Sequence, residues 1–218
     1  MTKILIVTTN TNSIDQDNPT GVYFEEFARF YLTFKNAGYE ITTASPKGGV
    51  SPIDPNSLLC ENPTEWDESK YALDETVSLD DVNYKDFDAI VLPGGHGTMF
   101  DIANSEKLGE ILQYFYENNK IIGAVCHGQA GFITAKKANG SPLVQGKRIT
   151  SFSNEEEHIS KTDEIMPFSL EDKLTELGAK MEFAKPYHEH VIEDGNIITG
   201  QNPKSTQTVA DIIWKRLS

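Results

Sequence analysis

Three short runs of nearly unbroken apolar residues constrain this chain more than anything else in it. They are Lys3–Thr8, Asp88–Leu92 and Lys120–Val125. A strand without polar/apolar alternation has to be covered on both faces, as in a parallel sheet sandwiched between helices. Glu40–Ser45 reads as another strand, stopped by Pro46 and Gly48-Gly49. Between these runs lie helical periodicities. Tyr23, Phe27, Phe30, Tyr31 and Phe34 form one stripe, with Thr20 as the expected N-cap and Gly38 as the stop. Leu108, Ile111, Leu112 and Phe115 form a second, over about 104–118. Residues 168–178 close at Gly178, and a last helix over about 203–217 opens near Pro203. Strands are expected also at Arg148–Phe152, with a helix starting at Ser153, and at Met181–Ala184, followed by a hairpin around Asp194-Gly195. Alternation of this kind implies an α/β chain with a mainly parallel sheet.

The 218 residues are expected to form a single domain. Residues 50–85, acidic and weakly periodic, read as a small elaboration over one edge of the core, anchored by Trp66 and Tyr71. The 33 Asp and Glu against 19 Lys and Arg give a net charge of −14. Such a surface repels polyanions, so neither nucleic acid nor an anionic membrane is expected as a partner. The N-terminus enters a strand directly, without the long apolar region of a signal peptide, and no run approaches the length of a membrane span. A cytoplasmic setting is expected, with Cys60 and Cys126 as free thiols.

Ligands of parallel α/β sheets sit beyond the carboxyl ends of the strands. Two strand ends here are rich in glycine: Pro93-Gly94-Gly95-His96-Gly97 and Cys126-His127-Gly128. The second has the form of a nucleophile elbow, with cysteine at the turn and small residues opening the next helix. Amides at a helix N-terminus lower a thiol pKa from about 8.5 to well below 7, so a reactive thiolate is expected at Cys126. Gly94 and Gly95 let the backbone approach a ligand, and the amides of Gly95 and His127 are candidates for an oxyanion hole. Neither GxGxxG nor GxxxxGK[ST] occurs there, which argues against a nucleotide site. Cys60 has no neighbouring base or glycine turn and reads as a bystander.

Together with Thr20-Gly-Val-Tyr-Phe-Glu-Glu26, these motifs resemble the ThiJ/PfpI superfamily over nearly the whole chain. The resemblance implies a flavodoxin-like three-layer sandwich akin to class I glutamine amidotransferases. Within the superfamily the branch matched is that of heat-shock chaperones that are also glutathione-independent glyoxalases (glyoxalase III). It implies a Cys–His–acid set, a glutamate hydrogen-bonded to the thiol, a small 2-oxoaldehyde substrate, no cofactor and a homodimer. Misfolded protein clients and oxidation of the thiol are further implied roles, and a peptidase or amidase is the alternative chemistry.

For the thiol-side glutamate, Glu25 faces Arg29 four residues on, whereas Glu26 shares the apolar stripe, where burial raises a carboxyl pKa. The resemblance also lands on Glu26. The acid behind His127 comes from Glu155, Glu156 or Glu157. Ser153 and Glu156 read as a capping box, which leaves Glu157, again the residue the resemblance indicates. His96 is a candidate substrate contact, and His158 reads as surface. His188 and His190 could share one strand face, but no third ligand stands at metal spacing and no metal site is expected. His190 also departs from the His-x-Glu of glutamine amidotransferases, against glutamine hydrolysis.

Overall fold

In the computed structural model, which describes residues 1–59 and 63–218, the fold is an α/β sandwich of the flavodoxin-like kind. In chain order the strands and helices are β1 (Lys3–Val7), α1 (Phe24–Asn36), β2 (Glu40–Ser45), α2 (Asp67–Asp74), β3 (Val77–Ser78), β4 (Ala89–Leu92), α3 (Glu106–Glu117), β5 (Ile121–Val125), β6 (Arg148–Ile149), α4 (Asn154–Ser160), α5 (Leu170–Glu176), β7 (Lys180–Met181), β8 (Val191–Asp194), β9 (Ile197–Gly200) and α6 (Thr206–Leu217). Among the described residues the main sheet runs β3-β2-β1-β4-β5-β9-β8, parallel except for β8, which forms a hairpin with β9.

The apolar runs divide between the two faces by strand alternation. Ile4, Ile6, Ala89, Val91, Ile121 and Val125 pack with α1 and α6, around Phe27, Phe30, Phe34, Val209 and Ile213. Leu5, Val7, Ile90, Leu92, Ile122 and Ala124 face the other way, against Leu108, Ile111, Leu112 and Phe115 of α3 and Leu174 of α5. Such strands have no water-facing side, so polar substitutions along β1, β4 or β5 are penalised at every position.

Several local expectations are corrected. Thr20 does not cap α1: its hydroxyl donates to Asp54 Oδ2 at 3.0 Å, and the helix starts after Tyr23 without a side-chain cap. Arg148–Phe152 does not join the main sheet. Arg148–Ile149 pairs in parallel with Lys180–Met181 as a separate two-stranded sheet, which shortens the expected strand at Met181–Ala184 as well. The chain after Cys126 is a 3-10 helix, Cys126–Phe132, rather than an α-helix. Within the 50–85 elaboration Trp66 is buried against Phe24, but Tyr71 is exposed and anchors nothing. That segment adds β3 to the sheet edge and carries Asp54 and Asn56 toward the crevice. Cys60 lies outside the described residues.

Candidate active site

The carboxyl ends of β4 and β5 bring the two glycine-rich turns together. A side chain on Gly94 would start 2.9 Å from both Cys126 Cβ and Glu26 Oε2, and 2.7 Å from the His127 amide nitrogen. Only glycine lets these three groups converge. Gly95 adopts φ +107°, and a Cβ there would meet Gly21 O at 2.2 Å. Cys126 itself holds φ +60°, a left-handed conformation uncommon for a residue with a side chain and of the kind stored at functional turns.

Cys126, His127, Glu157 and Glu26 come from β5's end, the head of α4 and the first turn of α1, and all four are buried. Cys126 Sγ stands 3.2 Å from His127 Nδ1. On the other side of the ring, Nε2 hydrogen-bonds Glu157 Oε1. Glu157 Oε2 takes His96 Nε2 at 3.2 Å and the Thr162 hydroxyl. Glu156, as its place in a capping box requires, is turned away to Ser153, and Glu25 pairs with Arg29 at 2.9 Å.

Protonation follows from these surroundings. Burial pushes Glu157 up, but the charge and hydrogen bond of His127, then His96, outweigh it and hold the carboxyl well below its ordinary range. An ionised carboxylate only accepts, so His127 Nε2 carries the proton and its Nδ1 lone pair faces the thiol. Burial and the neighbouring His96 lower the imidazole pKa, which keeps the ring neutral. Glu26 is the opposite case. Burial lifts it to about 8 despite the Gly94 amide, which donates to Oε2 at 2.5 Å. Its Oε1 has no hydrogen-bond partner among the described residues; the Cys126 thiol acts against the shift and the charge of Glu25 adds to it.

One electrostatic expectation is overturned here. Cys126 is not held as a thiolate: burial, then the charge of Glu26, pushes its pKa well above the free value. Cys126 is 4% exposed, and removing a charge from water at that depth outweighs the field of a short 3-10 turn. The resting set is a neutral thiol, a neutral imidazole, a protonated Glu26 and an ionised Glu157.

The thiol opens into a cavity of about 270 Å³, lined by Tyr23, Asp54, Gly95, His96, His127, Phe152 and Tyr187 among others. Phe152 packs on the His127 ring at 4.7 Å between centroids and meets Tyr187 edge-on at 6.0 Å. Sequence reasoning missed these aromatic walls, because a lone aromatic in a loop carries no periodic signal; Tyr187 even holds a left-handed φ of 56°. A larger depression of about 470 Å³ beside Arg29, Trp66 and Gln207 contains no cysteine, histidine or buried acid among its described walls. His188 and His190 do not share a strand face: they lie in the loop before β8, and His188 Nδ1 donates to Pro186 O at 3.0 Å. His158 is exposed and pairs with Asp163. Instead His96, His127 and Glu157 each offer a ligand atom within 4.8 Å of the others, a donor set that could hold a cation.

The comparisons with known proteins agree with this architecture. A family model described as "DJ-1/PfpI family" matches residues 20–215. The glutathione-independent glyoxalase HSP31 of Saccharomyces cerevisiae is 31% identical, over 95% of this chain and 94% of its own. The X-ray structure of the Rapid Encystment Protein 24 kDa of Francisella tularensis matches with a TM-score of 0.95 at 38% identity, covering both chains fully. The crystal structure of glyoxalase III from Candida albicans matches with a TM-score of 0.90 at 29% identity, over 97% of this chain and 95% of the other. With the family model spanning nearly the whole chain and a relative above 30% identity along its length, this protein belongs to the DJ-1/PfpI family.

Proposed function

We propose that this protein is a glutathione-independent glyoxalase, converting methylglyoxal-type 2-oxoaldehydes to 2-hydroxy acids at Cys126 without a cofactor. The observation that carries the reading is the buried chain of contacts from Cys126 Sγ to His127 Nδ1 and from His127 Nε2 to Glu157, with the buried acid Glu26 also acting on the thiol. The relatives named glyoxalase support the substrate class.

In this reading the thiol is activated when the substrate arrives. The sulfur attacks the aldehyde carbon as its proton passes to His127 Nδ1, and Glu157 stabilises the imidazolium that forms. The hemithioacetal oxygen takes up a proton, with Glu26 the group positioned to give it. Glu26, ionised by that transfer, then takes the proton from the first carbon and returns it to its neighbour through an enediol, while the His127 imidazolium holds the thiol proton until the thioester is cleaved. The aldehyde carbon is oxidised and the ketone carbon reduced within one molecule, so the electrons balance without a redox partner. The product of that shift is a thioester to Cys126, which water cleaves to the hydroxy acid and the free thiol. The amides of Gly95 and His127 border the oxygen that carries negative charge in these steps.

The cavity favours this chemistry over peptide cleavage. About 270 Å³ behind Tyr23 and Tyr187 suits a small aldehyde, whereas a peptidase needs an open groove for the chain on both sides of the scissile bond. The deciding assay supplies methylglyoxal and a peptide, both without glutathione, to wild type and Cys126→Ala. Lactate from wild type alone is the expected result; peptide cleavage without lactate reverses the assignment.

A further inference from the structure

We propose that His96, His127 and Glu157 form a binding site for a zinc-class divalent cation, and that a cation held there silences the Cys126 nucleophile. The binding half stands on geometry alone; the silencing half rests on the proposed role of Cys126 and His127.

The three side chains are drawn from the end of β4, the end of β5 and the head of α4, so no motif in the sequence announces the set. His96 Nε2 lies 3.2 Å from Glu157 Oε2, His127 Nε2 contacts Oε1, and the three ligand atoms fit within 4.8 Å. Tetrahedral zinc with bonds of about 2.0–2.1 Å keeps its ligand atoms roughly 3.4 Å apart, a spacing these side chains approach by small rotations. Two imidazoles and one carboxylate suit zinc, copper or nickel; calcium and magnesium demand more oxygen ligands than one carboxylate supplies. The surroundings support the ligands. Thr162 donates to Glu157, and Phe152 holds the face of the His127 ring. His96 and His127 also border the cavity, which gives a cation its route in and leaves a further coordination position for water.

Silencing follows from the tautomer. A metal on His127 Nε2 uses the lone pair of that atom, so the ring proton moves to Nδ1, the atom 3.2 Å from Cys126 Sγ. Nδ1–H then donates toward the sulfur and has no lone pair to receive the thiol proton. The same ring cannot serve as metal ligand and as base to Cys126.

The test is zinc titration of the metal-stripped full chain against a colorimetric chelator, together with the zinc X-ray absorption spectrum of the loaded protein. Expected are one zinc per chain, a loss of at least about tenfold in affinity in His96→Ala and in Glu157→Gln, and a change of less than about threefold in Cys126→Ala. The absorption spectrum should show a nitrogen/oxygen shell near 2.0 Å and no sulfur at about 2.3 Å, a readout that needs no variant to fold. A Zn–S distance, or binding abolished by Cys126→Ala and kept by His96→Ala, places the metal on the thiol and overturns the site. Absence of binding below about 100 μM overturns it as well. Silencing is read as the rate of iodoacetamide labelling at Cys126 by mass spectrometry, which falls in step with zinc occupancy and recovers with EDTA. An unchanged labelling rate at full occupancy refutes the silencing half. That readout does not depend on the oxoaldehyde: a chain that binds zinc and protects Cys126 but makes no lactate refutes the glyoxalase reading alone.

Discussion

Gly94 donates its amide to Glu26 Oε2 at 2.5 Å, tying the end of a central strand to the first turn of α1 at the point where the thiol emerges. The contact fixes a carboxyl that burial keeps protonated to about pH 8. Acid chemistry at neutral pH is thus built into the junction of a strand and a helix.

Glu26 gives the protein a pH-dependent stability of calculable sign. In the unfolded chain the carboxyl releases its proton near 4.5; folded, it keeps it to about 8. Its contribution is complete below the lower value and is lost as pH rises through the higher one, because the folded state binds more protons in between. Denaturant unfolding should show wild type losing on the order of 4 kcal/mol from this group between pH 5 and pH 9, and Glu26→Gln a flatter profile. Equal slopes in the two proteins would contradict the buried-acid assignment.

Lactate formation should respond to the same proton. In wild type it is expected to decline above an apparent pKa near 8, and in Glu26→Gln to fall by about 10²-fold with the alkaline limb removed. A limb that persists in the variant assigns the titration to another group.

Replacing Glu157 by Gln removes the charge that opposes the His127 imidazolium. A drop in kcat of about 10²–10⁴-fold is expected, with KM changed far less, since the residue touches His127, His96 and Thr162 and does not itself line the cavity. Steady-state kinetics would expose a binding role as a dominant rise in KM.

Glu156 is predicted to matter for architecture. Its two oxygens accept five hydrogen bonds, from the Ser153 amide and hydroxyl, Gln201, Asn202 and the Tyr187 amide. An amide in its place turns its own donor toward other donors. Glu156→Gln should cost about 3 kcal/mol by thermal or urea unfolding and loosen the Tyr187 wall of the cavity. A change below 0.5 kcal/mol would show that the network repacks.

Gly95→Ala brings a methyl carbon to 2.2 Å from Gly21 O at φ +107°. We expect a loss of about 3 kcal/mol and a displaced turn, measurable as a lower Tm together with slower labelling of Cys126.

The strands of the core were legible because β1, β4 and β5 are apolar on both faces, a pattern few other settings tolerate. The aromatic stripe of α1 was equally plain from Phe27 onward, although Tyr23, expected to open it, stands before the helix as its N-cap, and with the stripe came the contrast between buried Glu26 and ion-paired Glu25. What escaped was decided by tertiary context. Thr20 has the chemistry of an N-cap, yet Asp54, brought in by the elaboration, takes its hydroxyl. Arg148 and Ile149 have strand-like character, but which sheet they join depends on where Lys180 and Met181 return. The state of the Cys126 thiol was misjudged because a motif shows the helix that follows and not the depth at which the sulfur sits. Glu157 could be singled out only by assigning Glu156 to the cap, a one-residue inference that the capping box supports. The meeting of His96 with Glu157 required coordinates.

The cavity walls at Tyr23, Asp54, His96, Phe152 and Tyr187 belong to five separate connections, while the sulfur stands on the first residue past strand β5. Reagent and guest are therefore specified by different stretches of chain. A substitution that trims Tyr23 or Tyr187 reshapes the space a guest must fit and leaves the strands beneath unaltered. One scaffold can thus be refitted to bulkier or slimmer guests a loop at a time.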